Sequence, residues 1–203
     1  DITSIYGYNE ENGDVYYQAA ALNPHDRQVF VSHKNGKVER LTDQEGWNSA
    51  IFSGDYQFFI NTWSNYNTPY TFTLRSQKGK VLSVLLDNSK LKDKMAEYGW
   101  SKREPFTFTT SEGISLDGWM LKPNNFDPSH KYPVILFQYS GPGSQQVVDS
   151  WKAGSLGNGG AFDQYLVQQG FIVVCVDGRG TGGRGAKFEK CIYQQMGVLE
   201  SKD

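Results

Sequence analysis

Cysteine and histidine are scarce. Two cysteines in 203 residues cannot build a disulfide scaffold. Cys175 lies inside an apolar run and reads as a core residue. His25 and His33 fall among strand-like segments and His130 in a loop, so all three read as solvated surface residues. No cysteine or histidine pair has metal-ligand spacing, and no cofactor is expected. A cationic excess is also missing. Lys and Arg number 20 against 22 Asp and Glu, a net charge of -2, which gives no support for a nucleic-acid partner. Long apolar runs are absent: Phe171 to Val176 is far too short to cross a bilayer. The chain has no initiator methionine and no signal-like start, and it begins in mid-pattern. Charged residues make up 21% and hydrophobic ones 38%, a balance that argues against disorder.

Aromatic residues and glycine are plentiful. Twelve Tyr, twelve Phe and five Trp stand beside 22 Gly, which suggests many strands joined by tight turns. Asn12-Gly13 precedes Val15-Tyr16-Tyr17, and Asn35-Gly36 separates Gln28-Val29-Phe30-Val31 from the alternating Lys37 to Leu41. Both dipeptides are hairpin turns by residue type. Tyr56 to Ile60, Tyr70 to Leu74 and Val81 to Leu86 are further strands, the last two joined at Lys78-Gly79. The pattern repeats. Tyr16-Tyr17 corresponds to Phe58-Phe59, Asn35 to Val38 corresponds to Lys78 to Val81, and Leu41-Thr42-Asp43 corresponds to Leu85-Leu86-Asp87. Each unit has a proline in its central turn, Pro24 and Pro69. A period of about 43 residues with about four strands per unit fits the blade of a β-propeller, with two unrelated meanders as the alternative. Residues 1–88 are therefore expected to be the last blades of an incomplete propeller.

The grammar changes after Asp87. Asn88 or Ser89 caps a short connecting helix with Leu91, Met95 and Tyr98 on one stripe, stopped by Gly99. Strands follow at Pro105 to Thr110 and Ile114 to Leu121, then a loop at Pro123 to Lys131. Pro133 to Tyr139 is a near-continuous apolar strand of the kind covered on both faces in a parallel sheet. Phe162, Tyr165, Leu166 and Gln169 form a helical stripe, and Phe171 to Asp177 is the next buried strand. A Gly-rich loop, Gly178 to Gly185, comes next, and Lys187 to Asp203 is loosely helical, without a cap or a polar tail at its end.

Three pieces of candidate chemistry stand out. Gly178 to Gly183 fits G-x-G-x-x-G after a strand, with Arg179 and Arg184 as phosphate holders, but a dinucleotide site needs a helix at the loop and a further strand. A turn that glycine makes cheap is the plainer reading. Two segments approach a serine-nucleophile elbow, Ala153-Gly154-Ser155-Leu156-Gly157 and Gly99-Trp100-Ser101-Lys102, yet no strand leads into the first and the second follows a helix. Tyr139 ends a buried strand, where α/β sheets place their sites, and its phenol can donate to a developing oxyanion. Periodicity by itself leaves Tyr139 open between that role and a core or rim tyrosine.

Tyr132 to Gln145, read Tyr-Pro-Val-Ile-Leu-Phe-Gln-Tyr-Ser-Gly-Pro-Gly-Ser-Gln, resembles a strand and loop of the dipeptidyl peptidase IV-like enzymes of the prolyl oligopeptidase family. Val176 to Gly182 resembles the family's next strand and its Asp-Gly-Arg-Gly loop, and Leu85 to Leu91 resembles the passage from propeller to hydrolase domain. The likeness extends over essentially the whole chain, with the bacterial, bacteroidete-like branch closest. It implies propeller blades followed, over 89–203, by the N-terminal portion of an α/β-hydrolase domain cut before its nucleophile. It implies a serine exopeptidase that releases N-terminal dipeptides after proline or alanine, acting on a peptide and needing no cofactor. Tyr139 would supply half of the oxyanion hole. Ser140, Gly141 and Pro142 would border the leaving-group side, and Asp177 and Arg179 would hold the loop. The Gly-Trp-Ser-Tyr-Gly-Gly nucleophile motif is absent, and the triad Ser, Asp and His would follow Asp203, so the isolated chain is expected to be inactive. The resemblance also implies an exported, periplasmic or secreted parent and allows a homodimeric one. The readings that compete with it are an α/β nucleotide-binding protein using Gly178 to Gly183 and a non-enzymatic propeller interaction module.

Overall fold

Turn chemistry lays out the first half of the chain. In the computed structural model, which describes residues 1–152, 154 and 160–203, Asn12-Gly13 and Asn35-Gly36 reverse the chain with both glycines at positive φ. They close the hairpins β1 (Ile2–Asn9) with β2 (Asp14–Ala19) and β3 (Gln28–Ser32) with β4 (Val38–Arg40). These four strands form an antiparallel sheet in chain order. β5 (Trp47–Phe52), β6 (Phe58–Asn65), β7 (Thr68–Ser76) and β8 (Val81–Leu86) form a second antiparallel sheet, again in chain order. Both sheets lie in one compact unit, residues 1–92 with 149–151.

The repeat in the sequence is a repeat of position. Tyr16-Tyr17 and Phe58-Phe59 each sit on the second strand of a sheet, but the burial is offset by one residue: Tyr16 and Phe59 are each 1% exposed, while Phe58, the counterpart of Tyr16, is exposed. Asn35-Gly36 and Lys78-Gly79 each join a third strand to a fourth. Gly79 is required twice over: its φ is +81°, and a Cβ there would collide with the carbonyl of Leu41. Tyr16, Val29, Val31, Leu41, Ala50 and Phe59 make the core, with Phe52 in ring contact with Tyr16 and Phe59 at 4.6 and 5.0 Å. Burying each large side chain contributes roughly 1.5–3 kcal/mol.

Strands β1 and β5 were not anticipated. β1 is an edge strand with most of its side chains exposed, so it shows no apolar alternation. β5 buries a polar residue, Asn48, as deeply as any apolar one. Its amide donates to the carbonyls of Arg27 and Gln44, its carbonyl oxygen accepts from Gln18, and its side-chain oxygen accepts from Asn61. This buried amide network satisfies groups that would be costly to leave unpaired. Pro69 differs from expectation: it is the second residue of β7 rather than part of a turn, whereas Pro24 lies between β2 and β3. His33 is half-buried and bonded to Asp14 at 3.0 Å, not simply solvated.

The helix α1 (Ser89–Glu97) runs from the first unit into the second, residues 93–148 with 152–203. It buries none of its side chains, so the stripe Leu91, Met95 and Tyr98 packs no core. The second unit carries β9 (Arg103–Thr109), β10 (Ser115–Leu121), β11 (Val134–Phe137), α2 (Ala161–Gln168), β12 (Ile172–Asp177) and α3 (Ala186–Glu189). Its sheet runs β11-β12-β10-β9, and only β11 and β12 are parallel. Trp119, Leu116, Leu121, Val173 and Cys175 are fully buried there. No helix among the described residues is long and apolar enough to cross a membrane.

Three expectations for this unit are corrected. Within these 203 residues β11 is an edge strand with Val134 and Leu136 exposed, where the apolar run suggested cover on both faces. In α2 the buried residues are Asp163, Gln164 and Val167, while Phe162 and Tyr165 of the apolar stripe point to solvent. The buried face is polar because its partners are polar: Asp163 pairs with Arg103 at 3.3 Å, and Gln164 exchanges hydrogen bonds with the Ser101 backbone. Beyond Ala186 the helix lasts four residues, passes into a 3-10 turn at Lys190–Ile192 and continues as turns.

Candidate functional site

β11 and β12 run side by side, and the loops after both strands meet. Phe137 pairs with Cys175 near the ends of the strands, so Gln138 to Val147 and Gly178 to Gly185 emerge together. Tyr139 is the second residue past β11, and it is 62% exposed. Ser140 accepts from the Gln138 amide. Gly141 and Gly143 take positive φ, and the Ser144 hydroxyl bonds the carbonyl of Gly141 at 2.7 Å and that of Tyr139 at 3.3 Å. Pro142 is exposed at the tip. Tyr139 and Ser140 thus lead directly into a tight turn at 141–144, with Pro142 exposed on it.

The loop is held from outside by three contacts. The carboxylate of Asp177, at the end of β12, accepts from the backbone N–H of Gln146 at 3.0 Å and of Val147 at 2.8 Å. The N–H of Gly182 donates to the Ser144 carbonyl at 2.8 Å. Glu189 of α3 accepts from the Gly143 N–H at 2.9 Å. Glu189 carried no signal in the sequence reading, and nothing short of the fold could have flagged it. Asp177 is 4% exposed, and burial pushes its carboxyl up to about 6 against the opposing pull of the two N–H donors. Asp117, its cross-strand neighbour on β10, adds to the rise, and Arg184 opposes it.

Arg179 is committed elsewhere. Its guanidinium bonds Asp203 and Glu112, each at 2.8 Å, and its N–H also reaches Asp203. These acids hold its pKa above the ordinary arginine value. Arg184 donates to the Ser115 carbonyl and lies over the Phe188 ring at 4.2 Å. Neither arginine is turned toward an anion site. A Cβ on Gly180, whose φ is +94°, would drive into the Ile192 side chain. Gly180 therefore serves packing, and the element that follows is a helix of four residues, too short for a dinucleotide fingerprint.

The remaining candidates are dispersed. Ser101 is buried, bonded to Asn124 through its hydroxyl and to Gln164 through its N–H. Of the segment 153–157, residues 153 and 155–157 lie outside the described residues. His130 pairs with Asp127 at 2.8 Å on the surface. The Cys175 thiol is buried, and burial raises its pKa, which leaves it inert.

Residues 1–70 match the family model described as the dipeptidyl peptidase IV N-terminal region, and residues 161–203 match that of the prolyl oligopeptidase family. The chain is 30% identical to a probable dipeptidyl peptidase 4 of Aspergillus flavus, over all of this chain and 26% of the relative. The crystal structure of Porphyromonas gingivalis dipeptidyl peptidase 4 is 40% identical, with a TM-score of 0.88 over 99% of this chain and 28% of that one. A putative dipeptidyl aminopeptidase IV from Bacteroides ovatus is 28% identical, with a TM-score of 0.84 over 100% of this chain and 28% of that one. The chain thus spans about a quarter of the length of the relatives it matches. With both family models matched at the two ends and relatives that align over the whole of it, the chain is similar throughout to the dipeptidyl peptidase IV-like members of the prolyl oligopeptidase family.

Proposed function

We propose that the protein containing this chain is a serine exopeptidase that removes dipeptides from peptide N-termini after proline or alanine. In this reading residues 1–88 are the last blades of a propeller and 89–203 open an α/β-hydrolase domain. The observation that carries it is the placement of Tyr139: an exposed phenol just past a parallel strand pair, leading into a turn fixed at three points. The phenol O–H donates one hydrogen bond to the oxyanion that forms when a serine attacks the scissile carbonyl. A preformed donor costs no reorganisation as the charge develops, which is why a rigid loop matters. Ser140, Gly141 and Pro142 flank the departing amine. Asp177 and Arg179 act on the loops and not on substrate. The serine, its general base and the orienting carboxylate come from the same protein but not from these 203 residues.

The test is hydrolysis of Gly-Pro and Ala-Pro chromogenic amides by the full-length protein. Cleavage with a free amino terminus, and none after acetylation of that terminus, is the expected result. Cleavage of both alike would refute the exopeptidase reading. The isolated 203-residue chain is expected to hydrolyse neither. A nucleotide-binding role is disfavoured by the engaged Arg179 and Arg184, and NAD or ATP is expected to give no thermal stabilisation. The relatives are named as dipeptidyl peptidases, which gives a non-enzymatic propeller module no support, and the substrate test covers that reading too.

A further inference from the structure

The segment that bears Tyr139 has few contacts of its own. Its side chains at 138, 139 and 142 are exposed, and two of its residues, Gly141 and Gly143, have no Cβ to pack. The turn closes on itself through Ser144, whose N–H and hydroxyl both reach the Gly141 carbonyl, and with so little side-chain packing, bonds from outside decide how firmly it is held. Two carboxylates do so from opposite ends. Glu189 takes the Gly143 N–H, and Asp177 takes the adjacent N–H groups of Gln146 and Val147. Between them Ser144 is fixed through its carbonyl to Gly182, and its hydroxyl returns to the carbonyl of Tyr139. The chain of bonds from the two acids thus ends on the backbone of the tyrosine itself.

We propose that Asp177 and Glu189 form a two-carboxylate clamp that positions the Tyr139 hydroxyl for catalysis. The inference rests on the oxyanion role of Tyr139 and deepens it. Neither acid touches substrate. Each accepts backbone donors that a neutral or truncated side chain holds less well, because hydrogen bonds to an ionised acceptor are shorter and stronger. The two acids also differ usefully. Asp177 is buried, so its replacement tests the fold as well as the loop, whereas Glu189 stands on a short surface helix and can be truncated without opening a core.

The experiment uses the full-length protein with Asp177→Asn, Glu189→Ala and Tyr139→Phe, singly and combined. Gly-Pro amide hydrolysis and amide hydrogen exchange over 139–147 are the readouts. Glu189→Ala and Asp177→Asn are each expected to speed exchange in that segment and to lower kcat about tenfold or more with KM little changed, since a misplacement of about 1 Å costs up to roughly a hundredfold. In the Tyr139→Phe background the same two replacements are expected to cost almost nothing further, because the group they position is gone. An additive loss in that background, or an unchanged kcat in the Glu189→Ala single variant, overturns the clamp. Should Asp177→Asn fail to fold, Glu189→Ala decides alone. Failure of the oxyanion reading shows separately, as an unchanged kcat in Tyr139→Phe.

Discussion

Asp177 does two opposed things. It supplies a charged acceptor for two backbone donors, and it carries that charge in a site where only 4% of the residue meets water. Burial outweighs the donors, so the folded protein holds the proton up to about pH 6, against an ordinary value of 3.8. Below both values the group is protonated whether the chain is folded or not. Between them only the folded chain keeps the proton, so this group favours folding on the acid side. That contribution is lost as pH rises through about 6, and a shift of about two units corresponds to roughly 3 kcal/mol. Stability of the wild type minus that of Asp177→Asn, from urea denaturation, is therefore expected to fall between pH 4 and pH 7. A rise over that range would mean that the donors, not burial, dominate. Gly180 gives a second expectation at this scale. Gly180→Ala combines a positive φ with a collision against Ile192 and should lower stability by more than the roughly 1 kcal/mol typical of a strained glycine site. An unchanged midpoint in thermal unfolding would show that Ile192 can move aside.

At the scale of elements, α2 is the case where apolar periodicity misleads. Phe162 and Tyr165 suggested the buried face, yet the helix docks through Asp163 and Gln164. Arg103 and Asp163 are almost fully buried, and the guanidinium also lies over Trp119 at 4.9 Å. Removing one member of such a pair leaves a buried charge without its counterion, so Asp163→Ala is expected to destabilise by about 3–5 kcal/mol, read as a fall in Tm. A fall within the range of ordinary surface substitutions would contradict the pairing. The same elements explain what could be read from the residues. The hairpins at Asn12-Gly13 and Asn35-Gly36 were legible because glycine at positive φ is a local demand. β5 and the α2 docking face were not, because Asn48, Asp163 and Gln164 are buried by partners distant in the chain, and such pairings leave no periodic trace. Tyr139 was expected to end an apolar strand, but β11 stops at Phe137 and leaves it two residues out in the loop, and the clamp left no trace in the sequence, since Glu189 lies 46 residues from the glycine it holds.

At the scale of the whole molecule, two antiparallel sheets of the same order precede a mixed sheet with one parallel pair. The 43-residue repeat lies in the first unit, residues 1–92 with 149–151, and the parallel pair lies in the second. The exposed phenol stands two residues past β11, beside the parallel partner β12, the position from which α/β sheets present their chemistry. Everything proposed about activity depends on what that hydroxyl does. The most direct measurement is therefore kcat for a Gly-Pro amide in full-length wild type and Tyr139→Phe, with circular dichroism to show that the fold is kept. A fall of about 10²–10³ in kcat with an unaltered spectrum is the result expected of a lost oxyanion donor. An unchanged kcat would remove Tyr139 from the mechanism and with it the reading of this site.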